Sequence, residues 1–194
     1  MPEQFWWYVA RSSGMVTLGL SGAAVIWGLL LSTRVIRRRS LPKWLLDLHR
    51  FLGGLTMAFL ALHIGALVAD SFVPFGLAEV TVPGASGWKT AAVSWGVISM
   101  YLLVAIEATS LLKRRMPAKL WRRTHYLSFG AFGLSLLHAA TAGTDTSNRV
   151  YVLLALVMTL IVVFLTVVRV LASGRPAARA ARGPRESELV GSRG

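Results

Sequence analysis

No cysteine occurs among the 194 residues, which excludes disulfides, thiolate metal sites and iron–sulfur clusters. Any redox chemistry must then rest on a bound cofactor. Acidic residues are scarce, 8 against 21 lysines and arginines, and charged residues of every kind make up only 15% of the chain. A glycine-rich phosphate cradle is absent, and with it any built-in flavin or nicotinamide domain. Histidine is rare as well, with four in all.

What remains is apolar. Hydrophobic residues account for 55% of the chain, and the mean hydropathy is +0.59. That composition describes a membrane protein and not an ordinary soluble domain. A net charge of +13 would suggest nucleic acid if the charges formed one patch, but they lie at the ends of apolar runs.

Five such runs can be read along the chain. Residues 1–14, with Trp6, Trp7 and Tyr8, have the amphipathic aromatics of an interfacial segment. A first span follows over about Met15–Ser32 and ends against Arg34, Arg37, Arg38, Arg39 and Lys43 in place of a small-residue cleavage site, which argues against a cleaved signal peptide. The second span covers about Trp44–Asp70. A loop broken by Pro74, Gly76, Pro83, Gly84 and Gly87 comes next, in which Phe72–Val82 has the character of a surface-lying segment. The third, fourth and fifth spans cover about Thr90–Leu112, Leu120–Gly143 and Val150–Leu171. The expected fold is therefore an all-α membrane bundle of five helices over residues 15–171, followed by a small, basic, disordered tail at 172–194.

The basic residues orient this bundle. Eighteen of them fall on one side of the five spans: the group from Arg34 to Arg50, the group from Lys113 to Arg123, and the arginines from Arg169 onward. Only Arg11, Lys89 and Arg149 fall on the other. The positive-inside rule then places the N-terminus outside and the tail in the cytoplasm. Charges distributed in this way mark topology and contacts with anionic lipid, not a nucleic-acid partner.

All four histidines lie in two of the spans. His49 and His63 are fourteen residues apart, and His125 and His138 thirteen, or about 21 Å and about 20 Å of helical rise. Both spans start in the cytoplasm and run parallel, so His49 and His125 share an inner level and His63 and His138 an outer one. Two facing imidazoles at each level are the ligation of a six-coordinate haem iron. A single membrane histidine is as readily a helix-packing hydrogen bond, but four at matched depths favour two haems clamped one above the other. One detail resists: fourteen residues fall about 40° short of four turns, but thirteen fall about 140° short. A π-bulge, or distortion at Gly130 and Gly133, is expected to bring His125 and His138 to one face. Gly53, Gly54, Gly65, Gly130 and Gly133 would let a flat macrocycle or a neighbouring helix come close.

The stretches LHRFLGGLTMAFLALHIGALVAD and WRRTHYLSFGAFGLSLLHAATAG resemble the haem spans of the ferric reductase-like transmembrane domain. That superfamily includes the membrane part of NADPH oxidases, ferric reductases and the haem subunit of the methionine sulfoxide reductase system. The resemblance covers about residues 5–172. It implies two b-type haems, with His49 and His125 as the inner axial ligands and His63 and His138 as the outer, passing electrons from a cytoplasmic flavin to an acceptor outside. Many members continue into a flavin and nicotinamide domain. This chain has about twenty residues after its last span, so its electrons are expected to come from a separate flavoprotein or flavin reductase. Arg11, by its level, corresponds to a first-span arginine that meets the outer haem propionates in the oxidases. The alanine, arginine and glycine bias suits a GC-rich bacterium, and the expected location is a bacterial inner or plasma membrane.

Other residues have two readings each. Arg50, Arg122 and Arg123 are candidates for inner propionate contacts, or ordinary positive-inside charges. Phe129 and Phe132 lie between the haem levels as candidate electron-path residues, or as packing. Glu107 is a candidate for proton handling, or the partner of a loop arginine. Asp70 and Asp145 would attract a cationic acceptor, or be merely solvated. The free nitrogen of each ligand ring should donate to an oxygen one turn away, as His138 to Ser135.

The sequence thus reads as a transmembrane b-type cytochrome with no catalytic nucleophile, delivering electrons to ferric iron, oxygen or a partner reductase. A haem subunit of an extracytoplasmic reductase fed by quinol, and a non-redox transporter or assembly factor, are the alternatives.

Overall fold

The computed structural model describes residues 4–32, 43–71, 73, 75–145 and 147–173. The arginines expected to end the first span (Arg34, Arg37, Arg38 and Arg39), Phe72 and Pro74 of the loop after the second span, and tail residues 174–194 lie outside the described residues. Six helices follow one another: α1 (Phe5–Ser32), α2 (Lys43–Ala69), the short α3 (Leu77–Thr81), α4 (Thr90–Leu111), α5 (Ala118–Ala142) and α6 (Arg149–Ser173). A 3₁₀ turn, Lys113–Arg115, precedes α5. No strand occurs among the described residues.

Long apolar runs fold as helices because a helix satisfies its backbone polar groups internally, which hydrocarbon cannot do. Hydroxyls within the runs turn back on their own helix: Thr17 to the Ser13 carbonyl at 2.8 Å, Thr56 to Leu52 at 2.7 Å and Thr159 to Ala155 at 2.7 Å. Helix ends carry their own signals. The Asn148 side-chain oxygen accepts from the N–H groups of Val150 at 3.0 Å and Tyr151 at 3.3 Å, capping α6. Pro117 stands at the N-cap of α5, where no amide hydrogen is needed. Lys89 Nζ donates to the carbonyls of Thr141 at 3.0 Å and Ala142 at 3.4 Å, closing the other end of α5.

α1, α2, α4 and α6 are each long and apolar enough to cross a membrane. α5 has 25 residues, but Lys119, Arg122, Arg123 and two histidines lower its hydropathy. α1 begins at Phe5, ten residues ahead of the expected first span, so the aromatic segment is part of the helix. Ala10 and Ser13 in that stretch are buried, and the helix extends because its early turns have packing work to do.

α1 packs along α2 and α4 along α5, while α1 also meets α5 and α2 meets α4. Those four helices form a closed frame, and α6 lies outside it against α1. Leu18, Leu29, Phe132 and Val162 make a core where α1, α5 and α6 join. Phe75, Val80, Val93 and Val97 make a second one, where the segment containing α3 folds back on α4. A buried polar tie fastens α4 to α5: Ser99 Oγ lies 2.9 Å from the Ala131 carbonyl and 2.6 Å from Ser135 Oγ.

Candidate site: two imidazole pairs inside the helical frame

α2 and α5 face each other across the frame and bring the four histidines together in two pairs. The ring centroids of His49 and His125 are 6.0 Å apart, with the planes at 73°. Those of His63 and His138 are 6.4 Å apart, at 75°. Such pairing, early residue with early and late with late, requires α2 and α5 to run in the same direction. α5 is α-helical throughout, so the expected π-bulge is absent. The two rings are instead supported from different neighbours: His125 lies on Trp121 of its own helix, and His138 turns to α4.

The outer rings are held by backbone carbonyls. His63 Nδ1 lies 2.7 Å from the Ala10 oxygen on α1, and His138 Nδ1 lies 2.8 Å from the Ala92 oxygen on α4. A carbonyl only accepts, so each Nδ1 carries the hydrogen and donates it, leaving the Nε2 lone pair free to bind a metal. This corrects the expected bond from His138 to Ser135, whose hydroxyl is engaged with Ser99. The reason is reach: the α4 backbone comes directly alongside the ring at Gly96.

Glycine permits that approach. A Cβ at Gly14 would lie 2.9 Å from His63 Nδ1, one at Gly96 2.8 Å from His138 Nδ1, and one at Gly28 3.2 Å from His49 Cε1. These are not the glycines that sequence reasoning selected. Gly54, Gly65 and Gly133 meet nothing within 4 Å, Gly130 meets Leu102 at 3.9 Å, and Gly53 faces the Glu107 carboxylate. A signal was present nonetheless: Gly14 and Gly28 on α1 have the same fourteen-residue spacing as His49 and His63.

At the inner level, the Nδ1 atoms of His49 and His125 are buried without a hydrogen-bond partner among the described residues. His49 is near the Ala24 carbonyl but outside hydrogen-bonding geometry. Trp121 is stacked on His125 with centroids 5.0 Å apart and planes at 23°. Lys113 Nζ stands 3.8 Å from the centre of the Trp121 ring.

An apolar cavity surrounds the outer pair and reaches a polar rim at Arg11, Asp145 and Tyr151. Arg11 donates from Nε and Nη2 to the two carboxylate oxygens of Asp145, a bidentate pairing. Asp145 and Asp70 are each 6% exposed, which corrects the expectation that both are solvated. Asp145 is held by Arg11, and Asp70 Oδ2 accepts from the Val73 N–H at 3.4 Å. Arg50 pairs with Asp47 at 3.2 Å on the exposed surface, a contact worth little by itself. Arg122 and Arg123 are exposed. Phe132 is in the core with Leu18, Leu29 and Val162, and Phe129 packs against the same cluster.

No group of three or more histidine or acidic side chains able to hold a metal forms among the described residues. A metal ion at either level would find two imidazoles and would have to bring its other ligands with it. Haem does so through its four ring nitrogens: the free Nε2 atoms of the outer pair and the apolar cavity around it fit that group, and at the inner pair the facing rings, 6.0 Å apart, fit it as well. Residues 13–136 match the family model described as ferric reductase like transmembrane component. No curated protein and no solved structure matches.

Proposed function

Since the chain belongs to the ferric reductase-like transmembrane family, we propose that it carries electrons across a bilayer through two b-type haems, one at each imidazole pair. The observation that carries this reading is the ring spacing of 6.0 and 6.4 Å. A metal held between two facing imidazoles by bonds of about 2.0–2.1 Å each would fit ring centroids spaced about 6 Å or a little more. The two levels lie about 20 Å apart along the helices.

Bound haem supplies one-electron chemistry at its iron. His63 and His138 present Nε2 to the outer site, and the carbonyls of Ala10 and Ala92 fix their tautomer and raise their basicity. His49 and His125 do the same at the inner site without such carbonyl bonds. The apolar walls exclude water, and Arg11 at the outer rim and Arg50 at the inner end would meet propionates in exchange for their present partners, Asp145 and Asp47. α5 completes a five-span bundle, with Ser135 and His138 turned to α4 and its exposed basic residues gathered in its first turns. The basic face of the 3₁₀ turn and early α5 is cytoplasmic and receives a flavoprotein or flavin reductase, with ferric iron, oxygen or a partner reductase as the outer acceptor.

The purified protein should show a reduced-minus-oxidised b-type spectrum with two acid-acetone-extractable haems per chain. His63→Ala and His138→Ala should remove the same haem, and His49→Ala and His125→Ala the other. A colourless protein, or equivalence of His63→Ala and His125→Ala in redox titration, would overturn the assignment.

A further inference from the structure

Three of the four imidazoles have one kind of neighbour, which for two of them is a hydrogen-bonded support. His63, His49 and His138 each sit near an alanine carbonyl with a glycine one turn on: Ala10 and Gly14, Ala24 and Gly28, Ala92 and Gly96. Thirteen residues after Ala92 and Gly96, the spacing of the α5 histidines, α4 has Ala105 and Thr109, with no glycine to open a notch there. His125 has a different support: the Trp121 indole, one turn earlier on the same helix, stacked on it at 5.0 Å, with Lys113 Nζ 3.8 Å from the indole centre.

The order of groups is therefore cation, indole, ligand imidazole. An ammonium over an indole is held by the ring quadrupole, and the 3₁₀ turn Lys113–Arg115 ahead of Pro117 brings the lysine there. A near-parallel plate 5.0 Å away limits the rotation of a ring whose Nδ1 has no hydrogen bond to do so. Uptake of one electron makes the inner site more negative by one unit, so a fixed positive charge nearby favours the reduced state.

We infer that Trp121 and Lys113 are the positioning residues of the inner site: the indole sets the plane of the His125 ring, and the lysine charge carried above it favours electron uptake at that level. The inference rests on the two-haem reading, with a separate cytoplasmic flavoprotein as the source of the electron.

The test is a potentiometric titration of the full-length haem-loaded protein, with low-temperature electron paramagnetic resonance of its low-spin ferric signals, in Lys113→Gln, Trp121→Phe and Trp121→Ala. Arg114→Gln removes the same charge from the same turn without the indole contact and serves as the control. At a fixed applied potential, Lys113→Gln should lower the reduced-to-oxidised ratio of the inner haem by about twofold to tenfold, the effect of a unit charge over roughly 10 Å. The outer haem should not move, and Arg114→Gln should have the smaller effect. Trp121→Ala should alter the inner low-spin signal, and Trp121→Phe should restore it. An effect of Lys113→Gln no larger than that of Arg114→Gln, or an unchanged inner signal in Trp121→Ala, would overturn the inference. If His49→Ala and His125→Ala retain both haems, the ligation reading itself fails, an outcome separable from the other two.

Discussion

A methyl group added at Gly14 or Gly96 would fall within 3 Å of a His63 or His138 ring atom, and neither ring can retreat without losing its carbonyl bond. Overpacking of this kind costs about 1–3 kcal/mol. Gly14→Ala and Gly96→Ala should therefore weaken or abolish the outer haem and spare the inner one, as read by haem content and titration. Gly19 is the internal comparison. Its Cβ would meet nothing within 4 Å, so Gly19→Ala should be neutral, or stabilising by up to about 1 kcal/mol through helix propensity. Equal loss of haem in Gly14→Ala and Gly19→Ala would mean that the notch at Gly14 does not matter. At this scale the sequence displayed the histidines but not their supports. An alanine carbonyl has no side-chain signature, and a glycine becomes informative only once its neighbour across the interface is known.

Among the elements, α5 has the most conflicting sequence. Its hydropathy is lowered by the basic residues of its first turns and by the side chains that meet other helices, including Ser135 and His138. The tie from Ser99 to the Ala131 carbonyl and Ser135 Oγ fastens this helix to α4. Ser99→Ala should cost about 0.6–1.7 kcal/mol, the range for polar contacts between membrane helices, measured as a lowered thermal midpoint in detergent. Combining it with Ser135→Ala should cost less than the sum of the single changes, because the two residues share one bond. Strict additivity would show that the Ser99–Ser135 contact contributes nothing. The thirteen-residue spacing belongs to this scale too. Periodicity alone put His125 and His138 on different faces of a regular helix, and the two rings find their support in different places, His125 on Trp121 of α5 and His138 on the Ala92 carbonyl of α4.

For the whole molecule, the charge distribution makes a prediction that the absence of cysteine renders clean. Exposed Ala85, beside α3, lies in the connection between α2 and α4, and exposed Ala118 begins α5 beside the basic turn. With no native thiol to interfere, a membrane-impermeant maleimide applied to intact cells should label Ala85→Cys and not Ala118→Cys. Labelling in the reverse pattern would invert the orientation and with it the proposed direction of electron flow. The exposed residues Lys113, Arg114, Arg115, Lys119, Arg122 and Arg123 lie at the end of the frame that holds His49 and His125, so an acidic donor would meet the inner site first. Raising ionic strength should slow that encounter as the Debye length falls below about 10 Å.

The sequence by itself determined that the chain is helical and membrane-embedded, which two helices carry all the histidines, and, through spacings of fourteen and thirteen, that these fall at two matched levels. Each of those properties is written along a single helix, in its apolar run and its rise per residue. Tertiary structure alone decided that Ala10, Ala92 and the glycines beside them hold the outer rings, that Trp121 and Lys113 stand over His125, that Asp145 is buried against Arg11, and that Phe132 belongs to the core shared with α1 and α6. Those contacts depend on how far each helix is rotated about its axis and how closely it approaches its neighbour. Rotation and approach follow from many small packing contacts between residues distant in sequence, and no local pattern encodes them.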